Sequence, residues 1–150
     1  MNVLITGGSR GIGAAAVRAF STRGDRVAFF YEKEDEKAAA VAAETGALAI
    51  RCDVADEAAV NAAFAQLPGT DLLINNAGIA DYALINTITP ERWHRLFAVN
   101  VDGAFTASAQ PFPICCGSSP AVSSTSAPCG GRSARRARRR IRRRRARSSL

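Results

Sequence analysis

The stretch that decides the fold is Asn2-Val3-Leu4-Ile5-Thr6-Gly7-Gly8-Ser9-Arg10-Gly11-Ile12-Gly13. A five-residue apolar run breaks into a glycine cluster, as a buried parallel strand does where it leaves a sheet. Residues 12–23 then suit a helix, with Ile12, Ala16, Ala19 and Phe20 expected on its packed face. Within the turn, Gly7 permits a tight exit from the strand. Gly11 lets the backbone approach a pyrophosphate, and Gly13 lets the helix pack close. Ser9, Arg10 and Ile12 complete the loop. A helix N-terminus at that point offers free N–H groups and a positive partial charge to an anion. Glycine turns are common, but a strand before and a helix after are the context such a motif needs.

The same alternation continues outward. Arg26 to Tyr31 reads as a second apolar strand after the Gly24-Asp25 turn, and a charged, alanine-rich helix spans about 34–44, capped by Gly46. A third strand covers residues 48–52, a third helix about 56–67, and a fourth strand 71–75 after Pro68-Gly69. Thr89-Pro90-Glu91 opens a further helix: Thr89 as N-cap, Pro90 at the first helical position, Glu91 near the positive dipole end. Its apolar face is expected to hold Trp93, Leu96, Phe97 and Phe105. Strands alternating with helices at this spacing imply a doubly wound α/β sheet, an incomplete Rossmann unit with strand order 3-2-1-4. Residues 1–110 are expected to be half of a dinucleotide-binding domain. Residues 111–150, rich first in Pro, Ser, Cys and Gly and then in Arg, are expected to be disordered.

Four motifs carry a resemblance. Thr6-Gly7-x-x-x-Gly11-x-Gly13 resembles the glycine signature of short-chain dehydrogenases/reductases. Cys52-Asp53-Val54 is similar to the family's Asp-Val after strand three, where the resemblance implies that the Asp53 carboxylate meets the adenine amino group and Val54 adjoins it. Asn75-Asn76-Ala77-Gly78 matches the family's Asn-Asn-Ala-Gly, which implies that Asn76, Ala77 and Gly78 line the cofactor site. Asn100 matches the helix asparagine of the catalytic tetrad. Each has a plainer explanation taken alone: a turn, a helix cap, a surface amide. Their order and placement on the right elements outweigh those explanations. The resemblance covers roughly residues 1–110 and favours an enzyme similar to 3-oxoacyl-carrier-protein reductases, exchanging hydride between NAD(P)(H) and a small carbonyl/alcohol pair.

Cofactor choice turns on the end of strand two. An acidic residue there accepts ribose hydroxyls and repels a 2′-phosphate. That position reads as Tyr31, with Glu32 beside it, and Arg10 in the glycine loop suits a phosphate. NADP(H) is therefore favoured over NAD(H), with Glu32 as the opposing feature. His94, the one histidine, is given no role.

The family's chemistry also needs a Ser, a Tyr and a Lys four residues after the Tyr. A phenol titrates near pH 10, so a neighbouring cation must lower its pKa. Here the tyrosines are Tyr31 and Tyr82 and the lysines Lys33 and Lys37, so nothing after Asn100 supplies the pair. Such groups act as a unit, and the chain is expected to be inactive. One explanation is a reading-frame shift near Gln110: codons for residues 111–130 can be chosen so that an overlapping frame reads LPHMLRQQPGRLINISSMWG, similar to the family's continuation. The alternative is a non-catalytic nucleotide-binding remnant whose arginine tail binds nucleic acid or anionic surfaces non-specifically. Without further strands, the strand-four edge at Leu72, Leu73 and Ile74 is expected to be unpaired, with marginal stability and weak cofactor binding.

Charge and composition agree with two unlike pieces. Residues 1–110 carry 9 Lys and Arg against 13 Asp and Glu, a net −4, whereas residues 111–150 carry 11 Arg and no acid, which yields the overall +7. The 47% apolar content suffices for one core in 150 residues. No apolar run reaches transmembrane length and no signal segment opens the chain, so a cytoplasmic location and no membrane partner are expected. Cys52, Cys115, Cys116 and Cys129 have no metal-ligand spacing and read as ordinary thiols, with no metal expected. Family members are homo-oligomers, an association not expected of this chain.

Overall fold

The computed structural model describes residues 1–110 and 121–124. Five parallel strands form one sheet in the order β3-β2-β1-β4-β5. They are β1 (Asn2–Thr6), β2 (Arg26–Tyr31), β3 (Leu48–Arg51), β4 (Leu72–Asn75) and β5 (Ala121–Ser124). Helices α1 (Gly11–Thr22), α2 (Asp35–Thr45), α3 (Glu57–Phe64), α4 (Pro90–Phe97) and α5 (Gly103–Ser108) connect them, with a π-helical turn, Ala98–Asp102, joining the last two. The order 3-2-1-4 is the one expected from the sequence.

The core follows the two-residue period of the strands. Val3, Ile5, Val27 and Phe29 point to one face and pack with Ala14 and Val17 of α1 and Ala38 and Val41 of α2. Leu4, Ala28, Phe30 and Leu73 point to the other and pack with Val60 and Ala63 of α3 and Ala107 of α5. Both faces of the central strands are thus covered, which is why β1 and β2 read as continuous apolar runs rather than alternating ones.

Helix ends follow local chemistry. Asp56 caps α3 by accepting from the Ala58 and Ala59 amides at 2.9 and 3.2 Å. Thr89 caps α4, with Pro90 in its first turn, and Gly46 ends α2 in the left-handed conformation. Helix α3 stops three residues short of the expected end, and Ala65 to Leu67 form a turn.

Three expectations are corrected. The β4 edge is paired: Leu72, Leu73, Ile74 and Asn75 run parallel to Ala121, Val122, Ser123 and Ser124. Four residues read as part of a disordered tail therefore extend the sheet by one strand, so that β4 is not its edge. So short a strand leaves no periodicity to detect, and an open parallel edge is a template for any segment able to pair with it. The rest of the expected tail, with Cys115, Cys116, Cys129 and the arginines, lies outside the described residues.

The fully buried face of α1 is Gly13, Ala14 and Val17; of the expected face Ala16 and Phe20 pack against the core half-buried, while Ala19 is exposed and Ile12 is 78% exposed. Small residues go inward because the glycine turn holds the helix start against the β1–β4 loops. On α4 and α5, Trp93, Phe97 and Phe105 are exposed and Leu96 is half-buried, while burial falls on Val99 of the π-turn and on Gly103 and Ala107 of α5. The π-turn between the helices breaks the 3.6-residue period, so one apolar spacing does not keep one buried face.

Candidate dinucleotide site

The glycine turn sits between β1 and α1, at the carboxyl end of the strands, where open α/β sheets place their ligands. Its shape is set by neighbours on both sides. The Gly7 and Gly8 amides both donate to the Phe30 carbonyl at the end of β2, at 2.8 and 3.0 Å. Across β4, the buried Thr6 hydroxyl oxygen accepts from the Asn76 and Ala77 amides, each at 3.0 Å. The Asn76 carboxamide returns the contact, donating to the Thr6 and Gly7 carbonyls at 3.0 and 3.1 Å.

Close approach explains the glycines. A Cβ on Gly13 would lie 2.1 Å from the Gly7 oxygen, so no side chain fits there. A Cβ on Gly11 would meet nothing within 4 Å, but its φ of +56° is left-handed, which glycine adopts without strain. Gly8, not singled out in the sequence, presses on the Phe29 ring, where a Cβ would come within 2.6 Å of Cγ. Helix α1 then begins with no side-chain cap and no acidic residue in its first turn. Its first N–H groups are left for a ligand or water.

The turn forms one wall of a cleft of about 440 Å³. Gly7, Ser9, Arg10, Gly11, Ile12, Gly13, Tyr31, Asp53, Val54, Asn76, Ala77 and Gly78 all line it. Every cofactor-site residue expected from the sequence is thus brought to one surface. A second cavity, of about 340 Å³, lies at the opposite end of the strands beside Asn2, Arg26 and Leu48, away from the glycine turn.

Asn100 stands on the π-turn just behind this wall. Its Oδ1 accepts from the Ile79 amide at 3.0 Å and its Nδ2 donates to the Ile79 carbonyl at 2.9 Å. The side chain pins the loop after β4 and is not an idle surface amide. Asn75 ties β4 to α5, donating to the Ser108 hydroxyl at 2.9 Å.

Asp53 does not cap α3. Its Oδ1 accepts from the Ala55 amide at 3.0 Å and its Oδ2 from Arg95 Nη1 at 2.9 Å. Burial alone would raise this carboxyl, but the Arg95 and Ala55 hydrogen bonds, with the charges of Arg95 and Lys33, hold it below its ordinary range. Tyr31 is shifted up, first by burial and then by its hydrogen bond with Asp35. Glu32 accepts from Arg95 Nη2 at 3.1 Å. Arg95 was missed in the sequence because nothing local marks a helix arginine that reaches residues 42 and 63 positions away.

A scan against family models matches residues 1–124 to the short chain dehydrogenase model. The chain belongs to the short-chain dehydrogenase family. Acetoacetyl-CoA reductase of Rhizobium meliloti (strain 1021) is 40% identical over 106 residues, covering 68% of this chain and 44% of that enzyme. Sorbitol dehydrogenase of Cereibacter sphaeroides is 45% identical over 106 residues, covering 67% and 41%. Among solved structures, a short chain dehydrogenase from Burkholderia cenocepacia J2315 in complex with NADP superposes with a TM-score of 0.69 at 39% identity, covering 71% of this chain and 47% of that one. The matched part of the chain covers less than half the length of each of these proteins. Among the described residues, no helix is long and apolar enough to cross a membrane, and no cluster of His, Cys, Asp and Glu could hold a metal ion.

Proposed function

We infer that the cleft receives NADP(H), with the diphosphate at the glycine turn and the adenosine toward Asp53 and the end of β2. The observation that carries this reading is the uncapped, acid-free start of α1 at a turn where Gly11 leaves open space and Gly13 admits no side chain. The Burkholderia relative, 39% identical, was solved in complex with NADP, which supports the choice of dinucleotide. Arg10 on the cleft wall adds a guanidinium suited to a phosphate. Ser9, Ile12, Val54, Ala77 and Gly78 shape the rest of the wall, and Asn76 and Asn100 hold its loops in place.

When bound, the nicotinamide ring supplies or accepts a hydride against a carbonyl/alcohol pair. Resemblance to acetoacetyl-CoA reductase favours a 3-oxoacyl thioester as the substrate class of the parent activity. This chain is proposed to bind the dinucleotide without turning it over. Neither Tyr31 nor Tyr82 has a lysine four residues on, so no phenol is placed to exchange the substrate proton. The eleven arginines beyond residue 131 add salt-dependent, sequence-indifferent adhesion to polyphosphates.

Two measurements on the full chain test this. Calorimetric titration with NADPH should show saturable one-site binding, and absence of saturation would remove the dinucleotide reading. Absorbance at the NADPH band should stay constant over a panel of 3-oxoacyl thioesters, and steady oxidation would overturn the proposed inactivity.

A further inference from the structure

We propose that Arg95 is a specificity-determining residue, its guanidinium bridging Glu32 and Asp53 so that an acidic end of β2 tolerates the 2′-phosphate of an adenosine. This rests on the dinucleotide reading above. Glu32 directly follows β2 and lines the cleft. An unpaired carboxylate at that place accepts ribose hydroxyls and repels a phosphate. Here Glu32 Oε1 meets two cations, Arg95 Nη2 at 3.1 Å and Lys33 Nζ at 3.0 Å.

The two cations are not equivalent. The Lys33 side chain is 78% exposed, so its pairing is weak and easily screened by salt. The Arg95 side chain is 38% exposed and reaches Asp53 as well, at 2.9 Å. One planar fork therefore holds two carboxylates from the ends of neighbouring strands, a geometry a lysine does not reproduce. The two bonds use two of the five guanidinium N–H groups and hold both carboxylates from behind the cleft wall that Glu32 and Asp53 line. Arg10, in the glycine turn on the same cleft, adds a second cation. Asp53 keeps acceptor capacity, since each carboxylate oxygen takes more than one donor. Arg95 thus leaves a seat for an adenine amino group while offsetting part of the charge that excludes a phosphate.

The test compares 2′,5′-ADP with 5′-AMP by calorimetry on the full chain, as wild type, Arg95→Gln and the double variant Arg95→Gln/Glu32→Gln. Wild type should prefer 2′,5′-ADP. Arg95→Gln should lower that preference by about tenfold or more, the scale of a lost charged hydrogen bond. Binding of 5′-AMP should be unchanged or tighter, because Glu32 is released to the ribose hydroxyls. The double variant should recover part of the preference, since the repelling carboxylate is gone. Equal weakening of both nucleotides, or an unchanged ratio, overturns the proposal. Should Arg95→Gln not fold, Arg95→Lys keeps a cation without the fork, and an undiminished ratio there overturns it too. If wild type binds neither nucleotide, the dinucleotide reading itself has failed, an outcome distinct from any change of ratio.

Discussion

The Asn76 carboxamide donates to the Gly7 carbonyl at 3.1 Å and to the Thr6 carbonyl at 3.0 Å, tying the loop after β4 to the turn after β1. Because the Thr6 hydroxyl accepts from the Asn76 and Ala77 amides in return, the two loops form one hydrogen-bonded unit. Replacing Asn76 by Ala leaves both carbonyls without their donor. The expected cost is about 1–3 kcal/mol in urea denaturation. Asn76→Asp should cost at least as much, since its carboxylate would face two carbonyl oxygens. A cost near zero for both would show that the loops hold without this contact.

The glycines of the turn separate space from conformation. Gly13→Ala places a Cβ 2.1 Å from the Gly7 oxygen, and backbone must move to admit it. Gly11→Ala meets no neighbour, and its cost is left-handed strain alone, about 1–2 kcal/mol. Thermal melts should therefore rank Gly13→Ala well below Gly11→Ala. The reverse ranking would contradict the packing described.

Stability should fall in acid and in strong alkali. Asp53 is held below its usual range as described, Asp25 by Arg23 and the N-terminal ammonium, and Glu34 by Lys37. A carboxyl depressed on folding contributes stability above its unfolded pKa, about 4, and loses it as pH drops through the folded value. The Cys52 thiol is pushed up to about 11, first by burial and then by Asp53 and Asp56. The folded chain thus keeps that proton longer than the unfolded one, whose thiol titrates near about 8.5. That contribution is present at neutral pH and disappears as pH climbs toward the folded value. Denaturation midpoints should be level at neutral pH and decline below about pH 4 and above about pH 9. A midpoint that rises in either limb would contradict these assignments.

The fifth strand offers a check on the sheet edge. Val122 is in register with Leu73 in the middle of β5, where proline fixes φ and disfavours a strand. Val122→Pro should lower the melting temperature and raise light scattering on heating, as the β4 edge opens. No change in either would mean that β5 adds nothing to the edge.

Legibility from sequence followed the range of the determining interactions. The β1–turn–α1 unit could be read because turn chemistry is local: Gly7 and Gly11, read as turn glycines, both take positive φ values. The other lining residues came from short motifs at strand ends, which the 3-2-1-4 order gathers at one edge. Arg95 could not be read, because its partners are fixed by where α4 passes the ends of β2 and β3. The stripe of Trp93, Phe97 and Phe105 was visible as apolar, but periodicity marks a face without naming what covers it. Strand β5 was missed because four residues pair through backbone groups that every sequence carries.

The central claim is that the turn at residues 6–13 seats a dinucleotide's diphosphate, and calorimetric titration of NADPH into wild type and Gly11→Val tests it most directly. Gly11 lines the cleft, a Cβ there meets no protein atom within 4 Å, and its left-handed φ disfavours a β-branched residue. The account predicts saturable one-site binding to wild type and a loss of about tenfold or more in the variant, with far-UV circular dichroism unchanged. Equal affinity in the two proteins would contradict it.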